Sequence, residues 1–533
     1  MSSDSDETLC PGAEEEKTGK HGIGKVDLVG AGPGDLSLIT FKALDCIQQA
    51  DLVVYDHLVN PHLLRFLKPG AEEVYVGKVA GKHALPQDKI NALLVKAAAE
   101  GKMVCRLKGG DPFIFGRGGE EAEYLAKKGI PFEVVPGVTS AIAAPAYAGI
   151  PLTHRKMAST VAFITGNEAP DKPSSSIAWE KLSTGADTLV FFMGVANLPE
   201  IAARLMKEGR DPNTPAAVIE WGTMPWQRCV EGTLEEIAAV ANREKVQAPA
   251  ITIVGEVVKM RKHLAWYEKK PFFGKRIVVT RATTQASSTT EMIEKLGGDP
   301  IEFPTIRIEP LEDYKELDAA IESLSKYDWI VFTSVNGVEA VLDRAFELGK
   351  DVRCLGGVRI CSIGPNTTEA LRKRQLVPDL QPARFSSEGI IEACLRSADL
   401  REKKVLLTRS MLADDMLPST LAELGAEVTD IPCYRTIKAE PDRSIIEMLV
   451  DGDVDAVIFT SASTVRNFAE ILGDDLKRIS PRTVFACIGP VTAAAARDVG
   501  LDVQVESVDY TIPALLVALI AHFHGKLPPA IYL

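Results

Sequence analysis

The sequence has no long apolar run and no paired cysteines, and both absences narrow the classes of protein to which it can belong. None of its runs reaches the ~18 apolar residues of a membrane span, which argues against an integral membrane protein. Its nine cysteines include no CxxC pair, so zinc sites and disulfide frameworks are weakly supported. His522 and His524 form an HxH pattern without a neighbouring acidic or cysteine ligand, and we therefore expect no metal site.

The N-terminal residues also lack the features of a secretory signal. Residues 1–22 have neither a basic start nor an apolar centre, and their acidic composition predicts a disordered tail. We therefore expect a cytoplasmic protein. The net charge of −13 disfavours nucleic acid as a partner, but it allows a small anionic substrate bound by a local cluster of cations.

What the sequence does contain is a regular alternation of short apolar runs with amphipathic segments. This pattern is typical of the α/β class. A hydrophobic content of 46% and a charged content of 25% are ordinary for a globular protein. The length of 533 residues predicts about three or four folding units.

A glycine-rich loop follows the first apolar run. Residues 26–35 read VDLVGAGPGD, in which three glycines expose the backbone and Pro33 stiffens the turn. A helical pattern and a second strand ending at Asp56 complete a strand, helix, strand unit, a usual setting for a nucleotide site. The dinucleotide fingerprint needs a glycine where this loop has Asp35. An NAD site and a glycine turn without a ligand both remain open at this point.

A second loop of the same kind covers residues 106–121, RLKGGDPFIFGRGGEE. Two phenylalanines among its charges favour a binding loop over a solvated surface loop. Further glycine-bearing strand ends lie at 77–83, 134–140 and 147–155. Because ligands of α/β proteins collect at the carboxyl ends of strands, these loops predict one crevice lined by several turns.

The C-terminal half contains an internal repeat. KRIVVTR at 275–281 recurs as KKVLLTR at 403–409, and DWIVFTSVNGV at 328–338 recurs as DAVIFTSASTV at 455–465. The repeat predicts two similar α/β halves, each with an Ile-Gly-Pro turn before a helix. Such turns expose backbone N–H groups at a helix N-terminus, which suits an anionic ligand.

The N-terminal motifs resemble those of the uroporphyrinogen-III C-methyltransferases, in the tetrapyrrole methyltransferase family. GAGPGD, YDHLV, GKVAGKH, RLKGGDPFIFGRGGEE, VVPGVTS and YAGIPLTHR occur in the family's order. The resemblance implies two α/β lobes with S-adenosylmethionine in the cleft between them, and a homodimer. It implies Asp56 as proton acceptor and Lys78 as proton donor. The residues that it implies for the methyl-donor site are Pro33, Gly109, Asp111, Ile114, Thr139, Ser140, Met193 and Gly222.

The chemistry implied by this family needs a base and several cations. Methylation of a pyrrole carbon requires close positioning and then loss of a proton, which Asp56 at a strand end could accept. The alternative for Asp56 is a cap on the following turn. The candidate ligands for the carboxylates of a porphyrinogen are Arg106, Lys108, Arg117 and Arg155.

The C-terminal repeat resembles the uroporphyrinogen-III synthases over about 250 residues, through its order of elements and its FTS, IGP and PCYRT motifs. That family has two flavodoxin-like lobes joined by two crossing linkers, which would lie here near 304–310 and 432–438, with the active site between the lobes. Tyr434 is the candidate donor to the leaving hydroxyl, and the alternative is a packing residue with a solvated tip. The matching substrate positions are Thr367, Ser461 and Thr492.

Together, the resemblances predict a bifunctional α/β enzyme: a two-lobed methyltransferase fold followed by a bilobal flavodoxin-like synthase fold. It would cyclise hydroxymethylbilane to uroporphyrinogen III with inversion of ring D, then add two methyl groups to give precorrin-2, on the way to sirohaem or cobalamin. The alternatives are a non-catalytic, ligand-sensing C-terminal half and, for the N-terminal half, an NAD-dependent enzyme. The predicted domains are a tail (1–22), the methyltransferase (23–262), a linker (263–274), the synthase (275–526) and a short C-terminal tail (527–533).

Overall fold

The computed structural model describes residues 22–77, 85–168, 176–280, 283–384, 386–397, 401–411, 415–440 and 442–526. The chain forms two compact units, which divide between Gly274 and Lys275. Outside the described part lie residues 1–21, which are nearly all of the predicted N-terminal tail, and residues 527–533, which are the predicted C-terminal tail. Lys78 also lies outside it. Within the described ranges, no helix is long and apolar enough to cross a membrane.

Strands and helices alternate through the first unit, as the sequence pattern predicts. Its strands are β1 (Lys25–Gly30), β2 (Leu52–Tyr55), β3 (Glu72–Tyr75), β4 (Met103–Lys108), β5 (Phe132–Val135), β6 (Val161–Thr165), β7 (Thr188–Phe192), β8 (Pro215–Glu220), β9 (Arg228–Thr233) and β10 (Ala250–Val254). Its α-helices are α1 (Phe41–Gln49), α2 (Gln87–Ala99), α3 (Gly118–Lys127), α4 (Ser140–Tyr147), α5 (Trp179–Gly185), α6 (Leu198–Lys207), α7 (Ile237–Arg243) and α8 (Arg261–Leu264).

The first sheet of this unit brings the glycine loops to one edge. Its strands are parallel, in the order β3-β2-β4-β1-β5. Gly30 at the end of β1 pairs with Lys108 at the end of β4, and Val29 pairs with Val135 at the end of β5. The loops that follow these three strands therefore leave the sheet side by side. Helices cover both faces, since Leu28 packs in the core cluster with α2 and Val29 packs in the cluster with α1.

The second sheet of the unit is mixed, in the order β6-β7-β10-β8-β9. Its central strand, β10, runs antiparallel to both β7 and β8. Leu189, Phe191 and Val218 are buried beneath α6 and α7 in one of its core clusters. The sheet supports two turns that matter below, one after β7 and one after β8.

The segment 263–274, interpreted from its basic composition as a linker, packs on the first unit. Tyr267 and Phe272 are 3% and 0% exposed. Trp266 donates its indole N–H to the carbonyl of Ala146, 2.9 Å away, and its ring lies 5.0 Å from that of Tyr147. The burial of Tyr267 and Phe272 anchors the segment, and Lys270 lies over the rings of Trp266 and Tyr267, so the segment is a packed part of the first unit.

The second unit has the same alternation of elements. Its strands are β11 (Arg276–Val279), β12 (Asp299–Glu302), β13 (Ile306–Glu309), β14 (Trp329–Phe332), β15 (Arg359–Ser362), β16 (Lys404–Ser410), β17 (Glu427–Lys438), β18 (Ala456–Phe459), β19 (Val484–Cys487) and β20 (Val503–Glu506). Its α-helices are α9 (Thr283–Lys295), α10 (Lys315–Glu322), α11 (Val335–Glu347), α12 (Pro365–Lys373), α13 (Ser387–Ser397), α14 (Met416–Glu423), α15 (Arg443–Asp451), α16 (Ala462–Leu472), α17 (Pro490–Asp498) and α18 (Ile512–His524).

The two sequence repeats exchange strands, so neither repeat forms a lobe by itself. One sheet has the order β12-β11-β18-β19-β20 and the other has the order β13-β17-β16-β14-β15. Strands β11 and β12 of the first repeat thus join β18 to β20 of the second, and β14 and β15 join β16 and β17. The repeat correctly indicated two similar sets of strands and helices along the chain. Each set, however, contributes strands to both sheets.

Two strands connect the sheets. Short β13 follows β12, and it pairs antiparallel with the end of the twelve-residue β17, where Ile306 lies opposite Lys438. Arg435 forms ion pairs with Glu309 (3.1 Å) and Glu312 (2.5 Å) across this pair. The segments 304–310 and 432–438, interpreted as linkers, are therefore hydrogen-bonded to one another where they connect the two sheets.

Candidate active sites

Three glycine loops meet beyond the carboxyl ends of β1, β4 and β5. Gly32 and Gly110 exchange backbone hydrogen bonds of 3.2 and 2.7 Å, so the first two loops form a single bridge. Gly30 approaches the third loop so closely that a Cβ on it would lie 2.5 Å from the backbone nitrogen of Gly137. The loops can meet only because these positions carry no side chain.

Asp111 fixes the geometry of this junction. One carboxylate oxygen accepts the N–H of Phe113 (2.9 Å), and the other accepts the N–H of Gly137 (3.1 Å). The side chain thus ties the second loop to the third. On the third loop, Thr139 caps α4 by accepting the N–H of Ala141, and Ser140 is the first residue of that helix.

The turn after β8 closes the junction from the second sheet. Gly222 lies against α4, since a Cβ on it would be 2.2 Å from the Cβ of Ala144. The N–H of Asp35, on the first loop, donates to the hydroxyl oxygen of Thr223 at 3.1 Å. Trp221 and Thr223 adopt positive φ values of 48° and 75°, an uncommon conformation for such residues that is frequent at functional sites.

Two apolar side chains remain exposed beside these loops. Ile114 is 36% and Met193 is 50% exposed. The adjacent residues in the chain, Phe115 and Phe192, bring them near one another because their rings are 4.9 Å apart. Met193 also has a positive φ, 53°, in the turn after β7. Exposed apolar surface beside glycine loops fits a ligand with both apolar and hydrogen-bonding parts.

Asp56 lies at the end of β2, near the same edge of the sheet. One carboxylate oxygen accepts the N–H of Leu58 at 3.1 Å, as expected for the turn cap. The other accepts a hydrogen bond from a terminal nitrogen of Arg106 at 3.2 Å. Its side chain is 25% exposed. Asp56 is therefore both a cap and an oriented, solvent-accessible carboxylate.

Arg106 and Lys108, two candidates for binding substrate carboxylates, are instead buried. They are 3% and 4% exposed, and both contact the fully buried carboxylate of Glu121. The Nε of Arg106 lies 3.3 Å from Glu121, and the ammonium of Lys108 lies 3.0 Å from it. Burial, followed by the charge of Arg106, lowers the pKa of Lys108. Through these contacts the two cations orient Asp56 and α3. Because both are buried and paired, they are poorly placed to bind the carboxylates of a substrate.

The other two candidate cations are exposed. Arg117 has a left-handed backbone (φ 59°) before α3 and forms an ion pair with Glu120 at 2.7 Å. Arg155 lies in the exposed stretch that follows α4. Either side chain can reach a ligand in solvent, although Arg117 would have to exchange its partner.

In the second unit, Tyr434 on β17 meets the turn after β14. Its hydroxyl lies 3.0 Å from the hydroxyl of Ser334, which caps α11 by accepting the N–H of Gly337. Tyr434 is 8% exposed. Burial raises the pKa of this tyrosine, whereas its hydrogen bond with Ser334 lowers it, and the net shift is upward. The phenol is therefore a proton-bearing donor at neutral pH.

The remaining synthase positions lie at helix N-termini. Ser461 caps α16 in a capping box with Thr464. Thr367 in α12 and Thr492 in α17 are 3% and 5% exposed. Burial places these two hydroxyls beneath the Ile-Gly-Pro turns, where they can support the turns more readily than reach a ligand in solvent.

Comparison with known proteins finds a family match in each of the two units. A model of the tetrapyrrole (corrin/porphyrin) methylases matches residues 25–238, and one of uroporphyrinogen-III synthase HemD matches residues 287–517. The porphyrin biosynthesis protein HemD of Ruminiclostridium josui is 38% identical over 484 residues, covering 90% of this chain and 94% of that protein. The chain belongs to the tetrapyrrole methyltransferases fused to a uroporphyrinogen-III synthase. It is thus a bifunctional tetrapyrrole enzyme, which decides against the NAD-dependent and the non-catalytic alternatives.

A second relative and a solved structure are also similar to this chain. The uroporphyrinogen-III C-methyltransferase of Bacillus subtilis (strain 168) is 35% identical over 460 residues, covering 86% of this chain and 92% of that protein. Among solved structures, the uroporphyrin-III C-methyl transferase from Thermus thermophilus complexed with S-adenyl homocysteine is 42% identical. It covers 44% of this chain and 99% of its own, with a TM-score of 0.38.

Sequence reasoning missed several residues that contact the candidate sites. Glu121 contacts Arg106 and Lys108. Tyr147 donates to the carboxylate of Asp35, Tyr267 donates to the carbonyl of Thr223, and Ser334 contacts Tyr434. Glu121 could have been found from its position in the first turn of α3, shortly after the basic strand β4. An acidic residue there interacts favourably with the helix dipole and can pair with the cations of the strand. Ser334 also had a signal, because it occupies in the first FTS motif the position that Ser461 has in the second. Tyr147 and Tyr267 contact the loops through tertiary packing, which no local pattern encodes.

Proposed function

We propose that this enzyme cyclises hydroxymethylbilane to uroporphyrinogen III with inversion of ring D, and then methylates that product twice with S-adenosylmethionine to give precorrin-2. The observation that carries the proposal is that one chain matches both families, at residues 25–238 and 287–517. With both activities on one chain, the methyltransferase would consume the product of the synthase. The product would feed sirohaem or cobalamin synthesis.

The methyl-donor site is proposed at the junction of the glycine loops. Its fit to the donor rests on the exposed Ile114 and Met193, which can cover the apolar parts, and on backbone freed of side chains at the loops. S-adenosylmethionine supplies an electrophilic methyl group on a cationic sulfonium. The residues assigned to the site are Pro33, Gly109, Asp111, Ile114, Thr139, Ser140, Met193 and Gly222.

We assign proton acceptance to Asp56. The carbon that gains a methyl group must lose a proton, and a carboxylate is a suitable acceptor when it is positioned and ionised. Arg106 holds the carboxylate in place, since its guanidinium lies 3.2 Å from one oxygen. Lys78 is proposed as proton donor, from the resemblance, and lies outside the described residues. Arg117 and Arg155 remain the proposed contacts for substrate carboxylates.

In the synthase unit, we assign Tyr434 to the leaving hydroxyl of hydroxymethylbilane. Departure of that group is easier when its oxygen receives a hydrogen bond, and the phenol retains its proton at neutral pH. Ser334 orients the phenol from 3.0 Å. Ser461, Thr367 and Thr492 are proposed to shape the turns whose N–H groups bind carboxylates, with Ser461 the most accessible of the three.

Three further proposals concern assembly, location and metal. The family resemblance implies a homodimer, and the composition of residues 1–22 and the scattered cysteines suggest an enzyme that acts in the cytoplasm and needs no metal. In the described part of the chain, no group of three or more His, Cys, Asp or Glu residues is placed to hold a metal ion.

One assay tests both activities. Purified enzyme supplied with hydroxymethylbilane and labelled S-adenosylmethionine should give a dimethylated product. Hydroxymethylbilane alone should give the type III isomer, and formation of only the type I isomer would refute the synthase assignment. Supplying uroporphyrinogen III directly isolates the second step, and a lack of label transfer there would refute the methyltransferase assignment.

Tyr434→Phe should slow cyclisation about tenfold without abolishing it, because one hydrogen bond of about 1.4 kcal/mol to the leaving group is lost. The rate of type III isomer formation measures the effect. Tyr327→Phe is the matched control, since this tyrosine packs against the same core cluster. An unchanged rate for Tyr434→Phe would identify Tyr434 as a packing residue only.

A further inference from the structure

A closed ring of contacts links the donor-site loops to the segment that follows the methyltransferase sheets. Tyr267 donates its hydroxyl to the carbonyl of Thr223 at 2.9 Å. The hydroxyl oxygen of Thr223 accepts the N–H of Asp35 at 3.1 Å, and the carboxylate of Asp35 accepts the hydroxyl of Tyr147 at 2.7 Å. The rings of Tyr147 and Tyr267 are 4.7 Å apart and close the circuit.

The same segment also supports the turn after β8 through a second path. The N–H of Thr223 donates to the side-chain oxygen of Gln227 at 2.9 Å, and the amide nitrogen of Gln227 donates to Glu268 at 3.2 Å. Glu268 is held in turn by Arg261 at 2.8 Å. Both the carbonyl and the N–H of Thr223 are therefore fixed by contacts that lead to residues 261–268.

These contacts hold the turn after β8 in a backbone conformation that would be unfavourable without them. Trp221 and Thr223 have positive φ, a conformation that is unfavourable for residues with a side chain and persists only where surrounding contacts hold it. Gly34 of the first loop lies against this turn, since a Cβ there would be 2.5 Å from the sulfur of Met224. Relaxation of the turn would therefore move the first loop too.

We propose that residues 261–268 are part of the methyl-donor site, with Tyr267 as a positioning residue that holds the turn around Gly222 in its donor-binding conformation. The inference rests on the proposed donor site. It assigns a function to a stretch whose composition suggests only a connection to the synthase. Burial raises the pKa of Tyr147, which keeps the other phenol of the ring protonated as a donor to Asp35.

The test uses the full chain with Tyr267→Phe, which retains the ring and removes the hydroxyl. We expect the dissociation constant for S-adenosylhomocysteine, measured by titration calorimetry, to rise about fivefold, the effect of one lost hydrogen bond. The KM for S-adenosylmethionine should rise by a similar factor while kcat stays within about twofold, since the turn binds the donor and performs no chemistry.

Tyr314→Phe, in the other unit, is the matched control and should leave donor binding unchanged. Tyr147→Phe opens the ring at Asp35 and should also weaken donor binding, so it serves if Tyr267→Phe does not fold. Unchanged donor affinity in the folded variants, with normal binding by the wild type, would overturn the inference. A fall in kcat alone would overturn it too. A wild-type chain that does not bind S-adenosylhomocysteine would instead refute the proposed donor site.

Discussion

Replacing Asp56 with asparagine should lower the rate of methyl transfer by about 10²- to 10⁴-fold, the usual contribution of a general base. Asparagine retains the size of the side chain and an oxygen that can accept the N–H of Leu58, so the turn should survive. It cannot accept the proton that the methylated carbon must lose. Single-turnover transfer of labelled methyl to uroporphyrinogen III measures the chemical step apart from product release.

Donor binding separates this role from a structural one. S-adenosylhomocysteine should bind Asp56→Asn within about twofold of the wild type, because the side chain of Asp56 is hydrogen-bonded to Arg106 and Leu58, and neither is among the residues assigned to the donor site. Asp88→Asn, an exposed carboxylate at the start of α2, is the control and should be fully active. Loss of donor binding in Asp56→Asn would assign Asp56 to the donor site, and normal turnover would leave the base unidentified.

The architecture of the first unit could be predicted largely from local patterns. The strand before Gly30, the turn at Pro33 and the helix that follows are all encoded within a few residues, and parallel pairing then places the loops at one edge. In the second unit, the repeat predicted its elements but not how its sheets combine them. Sequence similarity shows that two segments fold alike, whereas strand exchange depends on which segments pair over more than a hundred residues.

The candidate site was less predictable where charge and burial conflict. Arg106 and Lys108 suggested solvent-facing cations, but β4 is the middle strand of a parallel sheet whose two faces are both covered. A charged side chain on such a strand is buried whichever way it points, and it then needs a partner. That partner, Glu121, is supplied by α3, and the need for it follows only once the strand order is known.

Glu121→Ala should therefore destabilise the first unit by about 3–5 kcal/mol, because removing one partner leaves Arg106 and Lys108 as buried cations without compensation. Urea unfolding followed by tryptophan fluorescence can measure the free energy of unfolding. Of the five tryptophans, only Trp329 lies in the second unit, so the signal reports mainly on the first. Methyl transfer should fall as well, since Arg106 would lose the contact that directs it toward Asp56.

The size of this effect depends on burial, and α3 provides the comparison. Glu123 on the same helix pairs with Lys127 at 2.6 Å, but their side chains are 65% and 68% exposed. Glu123→Ala should change stability by less than about 1 kcal/mol, as for other surface pairs. Combining Glu121→Ala with Lys108→Met removes one of the two uncompensated cations and should restore part of the loss. Equal effects of the two alanine substitutions would show that helix propensity, and not the buried charges, determines the result.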